Sequence, residues 1–204
     1  MGRPKKFHRE GILERAIPVF WRFGLSGTNV QLLEQATGVN KSGLYSEFES
    51  KNDLFVAALE RYLKTGPAMR ILERQPLGWA NIQEFLLSSP SFAPDHAGCF
   101  AINSTREVAG IPPAAVQLIT DFNTRRFEAL RRNLAIEVPE GDVEAVSDLV
   151  WTYFAGICIN ANLENGRDAH RARVESFMDI LKISTSRALA VPRNEGGSSG
   201  FGKS

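Results

Sequence analysis

Apolar residues recur at steps of three and four along most of the chain. Between His8 and Phe23 they fall at Ile12, Ala16, Val19, Phe20 and Phe23, which is one face of a helix. Gly24 and Gly27 are expected to end it. Thr28 then offers a hydroxyl to cap a short helix over about 29–36, with Val30, Leu33 and Ala36 inward. Gly38 suits a left-handed turn position. Asn40 opens a second short helix, whose apolar residues Leu44 and Phe48 stand four apart. Ser50 caps a longer helix through Leu54, Phe55, Ala58, Leu59 and Tyr62, which Gly66-Pro67 interrupts.

The periodicity continues in the remainder. Helices are predicted over 78–87, over 99–109, from Pro112-Pro113 to about Leu134, over 142–163 and over 168–189. No strand alternation stands out, and no internal repeat. The Gly/Ser-rich end, 191–204, is expected to be a disordered tail. The fold class expected is all-α, with about nine helices.

Composition adds limits. Hydrophobic residues make up 43% of the 204 and charged residues 23%, which excludes a mainly disordered chain. Net charge is +1, but it is unevenly spread. Residues 1–51 hold eight Lys/Arg against five acids, a +3 head on a −2 body. Such a head fits nucleic-acid binding. No signal-peptide or membrane-spanning run occurs, so a cytoplasmic protein with no membrane contact is expected. Two cysteines, Cys99 and Cys158, are too few for a disulfide scaffold. No Cys/His spacing reads as a metal site, and no nucleophile elbow or phosphate loop is present. Neither a cofactor nor an enzyme is therefore expected. His170, among Arg167, Asp168 and Arg171, reads as a surface residue.

Residues 28–48 have the layout of a helix-turn-helix, in which one helix crosses the phosphate backbone and the second lies in the major groove. With Leu44 and Phe48 inward, Lys41, Ser42, Tyr45 and Ser46 share the opposite side. Lys41 can reach a phosphate or a guanine edge, Ser42 and Ser46 can bond either, and Gly43 lets the helix approach closely. Thr28 and Lys51 stand at helix N-termini, where backbone N–H groups favour a phosphate.

These residues resemble a known pattern. Phe23-Gly24, Thr28, Gly38-Val39, Leu44-Tyr45, Phe48 and Ser50-Lys51 are similar, in type and spacing, to the DNA-binding domain of TetR/AcrR-type transcriptional regulators. The resemblance covers roughly residues 8–62. It implies DNA contacts at Thr28, Lys41, Ser42, Tyr45, Ser46 and Lys51. It also implies a basic arm at Arg3, Lys5 and Lys6 that enters the minor groove. Glu47 departs from the histidine common in the family. An acid there weakens phosphate binding unless it accepts from a cytosine or points away, so it is left out of the site.

The resemblance implies a helix-turn-helix domain over 1–50 and a helical ligand-binding and dimerisation domain over 51–190. The last two long helices would pair with their twins in a homodimer, and the operator would be an inverted repeat. The implied function is a ligand-responsive repressor, released from double-stranded DNA by a small-molecule effector. The effector chamber would lie among the middle helices, with Phe85, Phe100, Asn103, Phe122, Tyr153 and Phe154 as candidate lining and Asn160 as a further polar anchor. His96-Ala97-Gly98-Cys99-Phe100 resembles the Gly-Cys start of a middle helix in many members. A thiol- or electrophile-responsive regulator sensing through Cys99 is the alternative. Cys158, inside an apolar helix, reads as structural.

Overall fold

The computed structural model describes residues 8–88, 90–94, 96–163 and 166–190. Helices dominate: α1 (Arg9–Gly27), α2 (Val30–Thr37), α3 (Lys41–Glu47), α4 (Lys51–Thr65), α5 (Ala68–Leu72), α6 (Trp79–Ser88), α7 (Phe100–Ser104), α8 (Pro113–Leu134), α9 (Val143–Asn160) and α10 (Arg167–Ala190). A small antiparallel hairpin, β1 (Ser91–Ala93) and β2 (His96–Gly98), pairs Phe92 with Ala97. The basic arm, with Arg3, Lys5 and Lys6, and the 191–204 tail lie outside the described residues.

Local chemistry explains most of the boundaries. The Asn40 side chain accepts from the Gly43 N–H, and Ser50 accepts from the Asp53 N–H, so both expected caps form. Gly38 closes α2 in the left-handed conformation, φ 70°. Pro113 starts α8, where a missing N–H costs nothing.

Four expectations need correction. Thr28 does not cap α2. Asn29 does, accepting from the Leu32 N–H, while the Thr28 hydroxyl donates back to the Gly24 carbonyl at 2.6 Å. Gly24 does not end α1 but kinks it, at φ 68° and ψ −178°, and the kink re-aims the last turn. Phe23 is exposed, and Leu13, Trp21 and Leu25 belong to the core. The helix expected over 99–109 stops at Ser104 and passes into a 3-10 turn, Thr105–Glu107. His170 is buried, its Nε2 at 3.1 Å from the Leu86 carbonyl, and it fastens α10 to α6.

One hydrophobic core runs from the helix-turn-helix into the body. Helix α4 joins the two, packing on α1 and on α8. Phe55 of α4 lies edge-on to Phe20 of α1 at 5.2 Å and to Phe100 of α7 at 5.7 Å, all three fully buried. Burial of each such ring contributes about 1.5–3 kcal/mol. Asn133 of α8 holds the loop before α6. Its amide donates to the Leu72 and Ala129 carbonyls and accepts from the Gly78 N–H and the Asn81 amide. No helix among the described residues is long and apolar enough to cross a membrane.

Candidate nucleic-acid interface and the body cavities

Helix α3 has two sides of opposite character. Leu44, with Phe48 at the C-cap, is 2% exposed and anchors the helix to the core. Lys41, Ser42, Tyr45 and Ser46 are exposed, as the spacing predicts. The N-terminus of α3 is held from α2, since Glu34 Oε1 accepts from the Lys41 N–H at 2.5 Å. Its far end is held from α1. The Arg9 guanidinium lies over the Phe48 ring at 4.1 Å and donates to the Glu47 carbonyl. Arg15 donates to the Thr37 carbonyl at 2.8 Å. Thr37 shapes the turn, its hydroxyl donating to the Leu33 carbonyl and accepting from the Val39 N–H. The exposed face is thus presented by a braced helix, which positions its side chains before any partner arrives.

Other predicted residues take different places. Thr28 is 1% exposed and its hydroxyl is committed to Gly24, so it supports the interface from beneath. Gly43 has an internal reason to be glycine: a Cβ there would come within 2.6 Å of Val39 Cγ1 and 3.2 Å of Asn40 Oδ1. Ser46 donates to the Gly43 carbonyl at 2.8 Å and keeps its oxygen as an acceptor. Lys51 is half-buried, and its ammonium donates to the Leu25 and Thr28 carbonyls, each at 2.7 Å. Two of its three protons therefore close the kinked end of α1, and one is left for a phosphate.

That same kink is gripped from the body. Glu107, just after α7, accepts from the Ser26 N–H at 2.9 Å. Its carboxylate occupies the space a side chain at Gly24 would fill, 1.5 Å from an ideal Cβ. The pattern of apolar residues gives no sign of this contact.

Among the described residues of the body, two neighbouring cavities border Tyr62. A cleft of about 410 Å³ is lined by Trp21, Tyr62, Leu87, Phe92, Arg167 and His170, among others. A smaller cavity of about 30 Å³ is lined by Tyr62, Gly66, Pro67, Cys99, Phe122 and Arg126, with Leu63 and Ala68. Tyr62 and Pro67 border both. Of the six expected lining residues, only Phe122 borders either cavity. Phe85 and Phe154 pack together at 4.8 Å, and Phe100 belongs to the ring cluster with Trp21, Phe55 and Tyr62. Asn103 donates to the Ala97 carbonyl and to Asn162. Tyr153 stacks on Phe177 at 3.8 Å, its hydroxyl buried without a partner, and burial raises its pKa. Asn160 is exposed.

Cys99 lies at the start of α7, its Sγ 3.3 Å from the Tyr62 hydroxyl. A hydrogen bond with Cys158 lowers its pKa well below the ordinary thiol value against the opposing effect of burial, and the nearby Arg126 charge and the Tyr62 hydroxyl lower it further. Cys158 is raised by its bond to Cys99 and by burial. The Tyr62 hydroxyl is likewise pushed up, by burial first and by Cys99 second. Among the described residues no group of three or more His, Cys, Asp or Glu could hold a metal ion. Arg126 and Tyr62 escaped the sequence reading. Arg126 had a visible signal, because it stands on the buried stripe of α8, four residues after Phe122 and three before Ala129.

Comparison with known proteins agrees with this geometry. Residues 12–58 match the family described as bacterial regulatory proteins, tetR family. The HTH-type transcriptional repressor ComR of Escherichia coli is 35% identical over 109 residues, 50% of this chain and 52% of that one. The uncharacterized HTH-type transcriptional regulator YezE of Bacillus subtilis is 39% identical over 74 residues, 36% of this chain and 38% of its own. The matches thus span about half or less of these relatives' lengths. The regulator CifR, solved as a cysteine-substituted variant with 26-bp operator DNA, superimposes with a TM-score of 0.72 at 24% identity. That superposition covers 87% of this chain and 98% of the other, and it establishes a shared fold. The helix-turn-helix segment, residues 12–58, thus matches the tetR family of bacterial regulatory proteins, and the chain as a whole shares the fold of CifR.

Proposed function

We propose that the chain is a transcriptional repressor acting in the cytoplasm, which binds an inverted-repeat operator as a homodimer and is released by a small-molecule effector. The observation that carries this is the α3 face. Lys41, Ser42, Tyr45 and Ser46 are exposed on a helix braced at both ends, by Glu34 of α2 and Arg9 of α1. In a major groove, Lys41 and Ser42 would meet base edges or phosphates, while Tyr45, Ser46 and the free proton of Lys51 would meet the backbone. Thr28 acts by holding the kink that places Lys51. Glu47 stays outside the contact set. We place the helix-turn-helix head at 1–50 and the effector and dimerisation body at 51–190.

Two copies are needed to read two half-sites about 34 Å apart. The surface of the last two helices supports pairing. Along α9 and the turn after it, Leu149, Thr152, Gly156, Ile159 and Leu163 repeat at steps of three and four. Leu149, Ile159 and Leu163 are 51%, 47% and 81% exposed. At Gly156 a Cβ would meet nothing within 4 Å, so another backbone can approach there. Ile180 and Ile183 of α10 are also exposed. Such a stripe is costly in a monomer and suits a two-fold helical bundle.

Release requires the effector to bind a different body arrangement more tightly. Helix α4 offers a route, with Lys51 at one end and Tyr62, which borders both cavities, near the other. The test is gel-shift titration of an operator fragment with Tyr45→Ala and Lys41→Ala, alongside circular dichroism. Weaker DNA binding by folded variants is expected, and unchanged affinity in both rejects the assignment.

A second reading, a thiol-responsive release from the same DNA, is favoured by the lowered Cys99 pKa and its contact with Tyr62. It predicts that mild oxidant reduces operator affinity of the unmodified protein and not of Cys99→Ser. An equal oxidant response in both rejects it.

A further inference from the structure

Arg126 is 3% exposed, yet among the described residues it forms no ion pair. Its Nη2 donates to Asn123 Oδ1 at 2.5 Å, and its Nε is buried with no partner. The rings of Phe122, Trp151 and Phe154 surround it at 4.8, 5.2 and 5.1 Å. Ring faces offset part of the cost of burying a cation, but buried charges are as a rule paired with an opposite charge. The guanidinium instead borders the small cavity beneath Tyr62, which has room for about one water-sized polar group. Tyr62 also borders the 410 Å³ cleft, which Trp21, Leu87 and Phe92 line in part. The volume suits a small molecule, with these three side chains as the apolar wall and Ser91, Arg167 and Arg171 on the polar one.

We propose that Arg126 anchors the carboxylate of an apolar monocarboxylic acid whose body occupies the Trp21–Phe92 cleft. This rests on the reading of the body as an effector domain and names the effector's chemical class. The carboxylate would take the place of the missing counter-charge. It would accept from Nε of Arg126, which has no partner, and from the Tyr62 hydroxyl once that proton leaves Cys99 Sγ; both residues border that cavity. A charge-assisted bond to a planar guanidinium is about twice as strong as a neutral one and favours a carboxylate over an amide of the same shape. Because Tyr62 borders both cavities, a swing of its ring joins head site and cleft. That swing acts on α4, whose first residue closes the α1 kink.

The test is calorimetric titration of the full chain with two acids and their neutral counterparts: 2-naphthoate against 2-naphthamide, and decanoate against decanol. At least one acid is expected to bind ten-fold or more tightly than its neutral partner. Arg126→Met, which keeps the apolar stem and removes the charge, should reduce the acid to the level of the neutral compound. Arg126→Lys should recover part of the difference. The proposal is overturned if neither acid binds, if acid and neutral partner bind alike, or if Arg126→Met retains the acid's affinity. The comparison on the unaltered protein decides the matter even where a variant fails to fold. Gel shifts on the same samples separate the two readings. An acid that binds at Arg126 without changing DNA affinity rejects the effector role and leaves the anchor standing. DNA binding without any acid binding rejects the anchor alone.

Discussion

The contact between Glu107 and the α1 kink supports a quantitative prediction. Gly24 has φ 68° and ψ −178°, a region that side chains other than glycine's avoid at a cost of about 1–3 kcal/mol. An alanine Cβ there would also lie 1.5 Å from Glu107 Oε1, so the carboxylate must leave. Its bond from the Ser26 N–H, at an exposed position, is worth about 1 kcal/mol. Gly24→Ala should therefore destabilise by about 3 kcal/mol, lowering Tm by roughly 6–12 °C in a chain of this size. Glu107→Ala alone should cost about 1 kcal/mol. In the double variant the clash is gone and the bond can be lost only once. Its cost should fall short of the sum of the singles by about 1 kcal/mol. Urea and thermal unfolding followed by circular dichroism measure all four proteins. A Gly24→Ala variant within about 0.5 kcal/mol of the original, or strict additivity of the pair, refutes the link between head and body.

Three further outcomes are expected. Lys51→Met should cost about 1–3 kcal/mol through the two carbonyls it leaves without a donor, and should shallow the salt dependence of DNA binding by close to one phosphate contact, read from gel shifts at several salt concentrations. Burial lowers the His170 pKa below its ordinary 6.5, so the unfolded chain takes up a proton that the folded chain resists. This site contributes no protonation penalty above about pH 7.5 and loses stability as the pH falls through 6.5; in denaturant titrations the difference between the original and His170→Gln should be constant at higher pH, where it reflects the Leu86 contact, and should change with pH only on that acid side. On the proposed homodimer, Ile180→Glu combined with Ile183→Glu should halve the mass seen by sedimentation, and an unchanged mass rejects pairing through this face.

The sequence made the local features of the head legible and the long-range ones opaque. Asn40 and Ser50 cap their helices as expected, because a cap needs only the next three residues. The α3 face was legible for a similar reason: Leu44 and Phe48 fix the buried side, and the rest follows from the helical period. Thr28 was misplaced because its hydroxyl chooses between the N–H groups ahead and the Gly24 carbonyl behind. The kink, which depends on Glu107 and Lys51 far along the chain, decides that choice. The hairpin has three residues per strand, too short for an alternation to show. His170 was hidden by its charged neighbours Arg167, Asp168 and Arg171, which face outward while it alone turns to α6. Among the cavity residues, aromatic content pointed to rings that fill the core rather than line the space. Arg126 carried the better signal, as a charge on a buried stripe.

Trp21 has a practical consequence. Its indole N–H donates to the Ala97 carbonyl of the hairpin at 2.8 Å, and its ring lies 4.6 Å from His96 and 4.9 Å from Tyr62 while facing the cleft. A fluorophore native to the helix that begins the head is thus embedded where a guest molecule would enter. With Trp79 and Trp151 replaced by phenylalanine, the emission of a single indole becomes a label-free optical signal of cleft occupancy, read from the helix that braces α3 through Arg9.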